Sequence, residues 1–223
     1  MAGILGFKNM PINSYLGLKQ AIALYLQRGD LTAIIPQFIA LAESDIQADI
    51  ADLPELLVHA TATTAAGNPL IDTLNMYALR DAWINGDRVS IVQPNDMTTT
   101  STVTGYPSAV SIDGTSALRL YPSPDAAYVV DVLYVPVISQ TLAGGEPDDT
   151  ATNWILQRHP GAYLYGACLH ASAYIEDAAK LQAWQAGYDA TINRMRSASR
   201  QGHTTSRLGA VSSLSTRKGG AYV

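Results

Sequence analysis

Two of the four histidines and the only cysteine lie in one short segment, residues 151–175, with the sequence ATNWILQRHPGAYLYGACLHASAYI. A thiol next to an imidazole is the pairing of a nucleophilic catalyst, and the same side chains also bind zinc. The candidates for either chemistry are His159, Cys168 and His170. Whether these side chains can act together depends on the secondary-structure element that positions them.

Helical spacing keeps these three side chains apart. Because a helix turns about 100° per residue, Cys168 and His170 point roughly 200° apart, and His159 also points away from Cys168. His159 and His170 share a face but are separated by roughly 16 Å, whereas zinc–ligand bonds are about 2 Å long. A helix break at Pro160 would move His159 outside the helix and leave the Cys168–His170 argument unchanged. The spacing therefore excludes a local dyad.

The same segment favours packing instead. Cys168 belongs to an apolar face and is predicted to be a small core residue. His170 shares a face with tyrosines, which predicts a packing or subunit contact. Small residues keep this helix thin and permit close helix–helix approach. The apolar face consists of Leu164, Cys168, Ala171 and Ile175, and the face of His170 also carries Tyr163, Ala167 and Tyr174.

Other catalytic and metal-binding patterns are missing from the sequence. It has no GxxxxGK[ST] loop, no GxGxxG after a strand, no HExxH and no GxSxG. The acidic cluster Glu146, Asp148 and Asp149 lacks the spacing of a calcium loop and is predicted to be solvated surface. We therefore predict no cofactor, no metal and no catalytic residue. The alternative is a hydrolase that uses His159 or His170 with a distant acid.

Charge is distributed unevenly along the 223 residues. Residues 1–190 hold 19 acidic and 8 basic residues, a net charge of −11, whereas residues 191–223 hold six basic residues and no acid. The acidic body argues against general nucleic-acid binding, and the basic end favours contact with a negative partner. One cysteine excludes an internal disulfide, and neither a signal peptide nor a membrane span is predicted. We expect a soluble protein that is made in a reducing cytoplasm.

The two ends of the chain have helical periodicity. Ser14 is a predicted N-cap for a helix with the stripe Tyr15, Leu18, Ile22 and Tyr25, which Gly29-Asp30 closes. A second helix is predicted from near Thr32, with Pro36 in its first turns, and buries Ile35, Phe38, Ile39, Ala42, Ile46 and Ile50. Asp177 caps the last long helix, whose stripe is Leu181, Trp184, Tyr188, Ile192 and Met195.

The middle of the chain has the pattern of β-structure. Asn85-Gly86 and Asp113-Gly114 are hairpin signals, and AAYVVDVLYVPV after the turn at residues 122–125 predicts a largely buried strand. Residues 94–104 are compatible with a short helix or a loop, and residues 142–149 are a linker by composition. The segment after Ser199 is rich in Ser, Thr and Gly and is predicted to be disordered or extended.

We therefore predict an α+β fold. The N- and C-terminal helices form a helical bundle, a small antiparallel β domain is inserted between them, and an extended tail follows. The boundaries are 1–52 for the N-terminal helices, 53–150 for the β domain, 151–199 for the C-terminal helices and 200–223 for the tail.

The run TNWILQRHPGAYLYGACLHASAYIEDAAKLQAWQAGYDATINRM resembles the head-to-tail adaptor (connector) family of tailed bacteriophages. LTAIIPQFIALAESDI resembles the second helix of that family, and ALRLYPSPDAAYVVDVLYV resembles its last β hairpin. The resemblance covers residues 14–50 and 107–196; residues 53–104 match poorly and the tail does not match. The matching residues are Thr152, Asn153, Trp154, Leu156, Arg158, His159, Pro160, Tyr163, Leu164, Tyr165, Gly166, Ala167, Leu169, Trp184 and Tyr188.

The resemblance implies a structural protein of the virion, assembled in the host cytoplasm and located at the head–tail interface. Its partners would be the portal protein, a downstream nozzle or tail-hub protein, and copies of itself in a dodecameric ring. Double-stranded DNA would pass through the ring without sequence-specific binding, and no membrane is involved. Another ring of the same tail, such as a nozzle or tail-tube component, and a monomeric binding module are the alternatives.

Two groups of residues are predicted to form contacts in such a ring. The tail is expected to dock on the portal through Arg207, Arg217, Lys218 and Tyr222. The bundle core or the subunit contacts are expected to involve Trp154, His159, Tyr163, Tyr165, His170, Trp184 and Tyr188. Part of the acidic body is expected to line the channel, because negative walls repel DNA.

Overall fold

The structure, a computed structural model, describes residues 11–71, 75–97, 103–114, 117–138 and 148–214, with the backbone alone for 201–214. The chain divides into two compact units. The helical unit comprises Met1–Leu53 and Ile138–Val223, and the β unit comprises Pro54–Val137. Within the described ranges, five α-helices and mostly antiparallel sheets confirm the predicted α+β class.

The helical unit holds α1 (Tyr15–Leu26), α2 (Ile35–Ile50), α3 (Trp154–Arg158), α4 (Pro160–Tyr174) and α5 (Ala178–Leu214). Side-chain oxygens of Ser14 and Asn153 cap the N-termini of α1 and α3. Pro36 and Pro160 lie in the first turns of α2 and α4, where a missing N–H breaks no helical hydrogen bond. The predicted cap at Ser14 and the predicted position of Pro36 are confirmed.

Helix α4 lies at the centre of this unit and contacts α1, α2 and α5. The helices approach closely at glycines. A Cβ atom on Gly166 of α4 would stand 3.0 Å from the Cβ of Ala42 on α2. A Cβ atom on Gly187 of α5 would stand 3.1 Å from the ring of Tyr165 on α4. The predicted close packing through small residues of α4 is confirmed.

The predicted apolar stripe of α2 is confirmed at all six positions, which are buried. In α1 the stripe is confirmed at Tyr15, Leu18 and Ile22, but Tyr25 is 44% exposed and Leu26 is buried instead. Helix α1 ends at Leu26, earlier than predicted, because Gln27 adopts the left-handed conformation. The residues after it, Gly29–Leu31, form a 3₁₀ turn.

Helix α5 is longer than the sequence indicates. Asp177 caps it as predicted, with its Oδ1 accepting from the Lys180 amide at 3.2 Å. Tyr188, Ile192 and Met195 are buried as predicted. The prediction of an extended tail from residue 200 is wrong for residues 200–214, which continue α5 to Leu214. Propagating a helix adds one hydrogen bond per residue without a new nucleus, so the packed half of α5 extends the helix. Residues 215–223 lie outside the described residues.

The β unit contains ten strands within the described ranges, in two four-stranded sheets and one two-stranded pair. Their orders are β1-β10-β3-β4, β2-β8-β7-β5 and β6-β9. The strands are β1 (Val58–Thr63), β2 (Leu70–Ile71), β3 (Met76–Ile84), β4 (Asp87–Arg88), β5 (Ser90–Ile91), β6 (Thr104–Gly105), β7 (Ala109–Asp113), β8 (Ala117–Tyr121), β9 (Ser123–Pro124) and β10 (Val129–Pro136).

Both predicted hairpin positions are confirmed. Asn85 and Gly86 have positive φ angles of 49° and 90° between β3 and β4, as a two-residue hairpin turn requires. Gly114 has a φ of 69° between β7 and β8. The predicted antiparallel order is wrong for two short pairs, β5–β7 and β6–β9, which are parallel. Strands of only two residues are too short to carry a periodic pattern, so the sequence does not indicate their partner or direction.

One core fills the β unit and draws residues from both four-stranded sheets. In β10, Val130 and Val132 are buried, whereas Val129 is exposed. The register of β10 against β3 shifts between Leu133 and Tyr134, and after this bulge Val135 is buried. The alternation predicted for this strand therefore holds only before the bulge, because an extra residue exchanges the two faces.

Two predicted loops are partly described. In the segment 94–104, Pro94–Asp96 forms a 3₁₀ turn, and residues 98–102 lie outside the described residues. The predicted linker 142–149 is described from residue 148 onward. There the Asp149 carboxylate accepts a hydrogen bond from Lys19 Nζ at 2.7 Å.

Candidate functional site

A polar network with Tyr163 at its centre crosses the core of the helical unit. The Asn153 side chain caps α3 and also donates from its amide to the Tyr163 hydroxyl at 2.6 Å. The Tyr163 hydroxyl in turn donates to the Glu43 carboxylate of α2 at 3.0 Å. Burial, together with the charge of Glu43, raises the pKa of Tyr163, so the hydroxyl keeps its proton. This network ties α2, α3 and α4 together.

Two further carboxylates on α2 hold the neighbouring helices. His170 Nε2 of α4 lies 2.8 Å from Asp45 Oδ2. The Tyr188 hydroxyl of α5 donates to Asp49 Oδ2 at 2.7 Å, and burial raises the pKa of Tyr188. Asp45 and Asp49 are one helical turn apart, so they share one face of α2.

Three aromatic rings form a row across α1, α4 and α5. The Tyr25 and Trp184 ring centroids are 5.9 Å apart, and the Trp184 and Tyr165 rings are stacked at 6.1 Å. Tyr165 lies flat against Gly187, and Trp184 and Tyr165 are both half-buried. The row reaches solvent at Tyr25, next to Leu24, which is 58% exposed.

The three side chains that could take part in catalysis or metal binding, His159, Cys168 and His170, are not brought together. His159 lies between α3 and α4, with its ring edge-on to Trp154 at 6.4 Å. His170 pairs with Asp45. Cys168 is fully buried, and burial raises the pKa of its thiol to about 12. A thiol that holds its proton is neither a nucleophile nor a metal ligand at neutral pH.

We expect Cys168 to resist thiol reagents in the native protein. The native chain should react with a disulfide reagent only as fast as it unfolds, and at once in strong denaturant. An exposed thiol of Ser197→Cys in a Cys168→Ala background is the control and should react immediately. Rapid modification of native Cys168 would show that the core around α4 is open.

The pH dependence of stability should contain a contribution from His159. Burial, and then the neighbouring Arg158 charge, lower the pKa of His159 from its ordinary value. The unfolded chain therefore binds the proton more readily, and stability is lost as pH falls from about 6.5 through the folded pKa. Urea unfolding at about pH 7.5 and about pH 5 should show a smaller difference for His159→Gln than for the wild type. An equal difference in both proteins would contradict this.

The sequence patterns do not predict the role of the acidic and amide side chains of α2. Glu43 and Gln47 are buried among the apolar residues of this helix. The Gln47 side chain accepts a hydrogen bond from the Ile138 amide at 2.6 Å. Their spacing could have predicted this burial, because Glu43 and Gln47 follow Ile39 by four and eight residues and so lie on the buried face of α2.

The predicted portal-binding residues are mostly beyond what the structure describes. Arg207 lies in α5, where the backbone alone is described, and Arg217, Lys218 and Tyr222 lie outside the described residues. The described residues contain no group of three or more His, Cys, Asp or Glu side chains that could hold a metal ion. Among the helices of this part of the chain, none combines the length and apolarity needed to cross a membrane.

Comparison with known proteins agrees with this arrangement of packing residues. Among curated proteins, none matches the chain. A family model described as SU10 adaptor protein matches residues 13–211, which include α1 to α4, the whole β unit and most of α5. The resemblance to phage head-to-tail adaptors that the sequence predicts is thereby confirmed, and the chain belongs to the SU10 adaptor protein family, a family of phage head–tail adaptors.

Proposed function

We propose that this protein forms a homo-oligomeric ring, a dodecamer, that joins the portal to the tail and continues the DNA channel. The observation that carries the proposal is the adaptor family match over residues 13–211. His159, Cys168 and His170 agree with a structural role, because His159 packs on Trp154, Cys168 fills the core and His170 pairs with Asp45 of α2. We infer that the protein acts by assembly and not by catalysis.

We propose that the N- and C-terminal helices form one bundle and that this bundle builds the ring. A closed ring of identical subunits needs two different patches that meet head to tail. The helical unit exposes large apolar side chains on three helices, and aromatic residues are typical of protein interfaces. They are Leu24 and Tyr25 of α1, Leu41 of α2 and Tyr174 of α4.

The charge distribution supports a channel role for the body. Residues 1–190 carry a net charge of −11. Negative walls repel the phosphates of double-stranded DNA, so DNA would slide through the ring and would not bind in a sequence-specific way. A ring whose inner surface is basic would contradict this part of the proposal.

We propose that residues 200–223 dock on the portal. Residues 200–223 hold four basic residues, Arg200, Arg207, Arg217 and Lys218, and no acid, which suits a negative partner. Deleting residues 200–223 is expected to abolish binding to the portal of the same phage in a pull-down, while circular dichroism shows only the loss of helix that residues 200–214 account for. Alanine replacement of Arg207, Arg217, Lys218 and Tyr222 together should weaken binding in the same direction.

A matched control removes positive charge elsewhere on the helical unit. Alanine replacement of Arg28, Arg158 and Lys180 should leave portal binding unchanged, because these side chains lie before the basic segment. Portal binding that survives the deletion would overturn the docking proposal. Binding to the downstream tail protein without any binding to the portal would instead identify a nozzle or tail-tube ring.

A further inference from the structure

The end of α2 and the middle of α5 are joined by three contacts at one residue. Tyr188 donates its hydroxyl to Asp49 Oδ2 at 2.7 Å. Arg196, two turns further along α5, donates from Nη2 to the backbone carbonyl of Asp49. The same Nη2 lies 3.9 Å from Asp49 Oδ1. Asp49 therefore holds α5 at two points along its axis.

The position of Asp49 explains why both partners are favourable. Asp49 is the second-last residue of α2, which ends at Ile50, and its carbonyl is one of the last four that have no partner inside the helix. An arginine at a helix C-terminus satisfies such a carbonyl and complements the negative end of the helix dipole. The ion pair alone is weak, because Arg196 and Asp49 side chains are 36% and 41% exposed. The bonds to Tyr188 and to the carbonyl carry more of the energy.

These contacts lie near the middle of α5, which is much longer than the helices it packs against. Helices α2 and α4 have 16 and 15 residues, whereas α5 has 37. At about 1.5 Å per residue, α2 is about 24 Å long and α5 about 55 Å. From Arg196 to Leu214, α5 continues for about 27 Å. In addition to its packing against α4, a helix held at two points along its axis resists pivoting better than one held at a single point.

We propose that Asp49, Tyr188 and Arg196 form a clamp that sets the direction of the C-terminal part of α5 relative to α2. In this role the three are positioning residues. The presentation of this segment to the portal rests on the function proposed above. The effect of the clamp on the direction of α5 does not depend on any partner.

Spin labels test the clamp without any partner. Labels are attached to Gln37→Cys at the start of α2 and Ser206→Cys in the C-terminal part of α5, in a Cys168→Ala background. Pulsed electron paramagnetic resonance is expected to give one narrow distance. The double substitution Asp49→Ala with Arg196→Ala should replace it with a broad distribution. Tyr188→Phe, which removes one hydroxyl, provides a milder variant that should keep the fold and still broaden the distribution.

Asp45→Ala is the matched control. It removes a carboxylate from the same face of α2, one turn earlier, whose partner is His170 of α4. This variant should keep the single narrow distance. A narrow distance in both clamp variants, or a broad one in the wild type, would overturn the proposal.

Portal binding provides a second reading. In the Asp49→Ala, Arg196→Ala variant, α5 would hold the binding-competent direction in only about one tenth of the molecules. The apparent Kd for the portal should then rise about tenfold. Asp45→Ala should leave the Kd unchanged. Loss of the narrow distance together with portal binding that survives deletion of residues 200–223 would support the clamp and reject the docking role. An unchanged distance with portal binding lost on deletion would reject the clamp alone.

Discussion

Replacing Gly166 with leucine is expected to lower the free energy of unfolding by about 3 kcal/mol. A first carbon at this position would already lie 3.0 Å from the Cβ of Ala42 and 3.4 Å from the Tyr188 ring. Leucine adds three further carbons between α2, α4 and α5, which must move apart. The higher helix propensity of leucine returns only about 1 kcal/mol of this loss.

Urea unfolding followed by circular dichroism measures the effect. Gly166→Ala should fall within about 1 kcal/mol of the wild type, because its gain in helix propensity offsets one tight contact. Ala173→Leu places the same side chain on an exposed position of α4 and should change stability by less than about 0.5 kcal/mol. Equal stability of Gly166→Leu and Ala173→Leu would show that α4 does not lie at the centre of the helical unit.

Replacing Tyr163 with phenylalanine is expected to cost about 2 kcal/mol of unfolding free energy. The change removes one hydroxyl that donates to Glu43 in a buried bond and accepts from Asn153 in a half-buried one. The Glu43 carboxylate loses a charge-assisted hydrogen bond, which is stronger than a neutral one. The aromatic packing is preserved, so the loss reports the polar network alone.

Tyr165→Phe is the control, two residues further along the same helix. Its ring packs against Gly187 and stacks on Trp184, and its hydroxyl has no hydrogen bond among the described residues. We expect this variant to match the wild type within about 0.5 kcal/mol in the same unfolding experiment. If Tyr163→Phe were equally harmless, the network would contribute little to joining α2, α3 and α4.

Local patterns were sufficient to predict most helices and the hairpin turns. The cap at Ser14, the proline in the first turn of α2 and the positive-φ pair Asn85-Gly86 each act within a few residues, so their signals are complete in the sequence. The six buried positions of α2 follow from one period of 3.6 residues. The separation of His159, Cys168 and His170 follows from the same geometry.

Features that depend on distant residues were not predictable in this way. The partner of His170 is Asp45, 125 residues away in the sequence, and helical spacing on α4 cannot indicate it. The bulge in β10 arises from its register against β3, and the parallel pairs arise from loop paths between strands. The C-terminal part of α5 has weak intrinsic signals, and it is helical because the packed part of the same helix precedes it.

Several residues of the 151–175 segment share one role, which is to pack the helices of the helical unit together. Asn153, Tyr163 and Gly166 join the helices, His170 reaches α2, and Cys168 fills the core. The buried acid Glu43 and the clamp residue Asp49 extend this set to α2. These residues pack the helices of one chain together, which agrees with membership of an adaptor protein family.

The measurement that tests the proposed function most directly is a cryo-EM reconstruction of the neck of the phage particle. We expect a ring of this chain directly against the portal, with its helical units in contact around the ring and the C-terminal segment of each copy on the portal surface. A portal whose lower surface is occupied by another protein, with this chain further along the tail or missing from the particle, would contradict it.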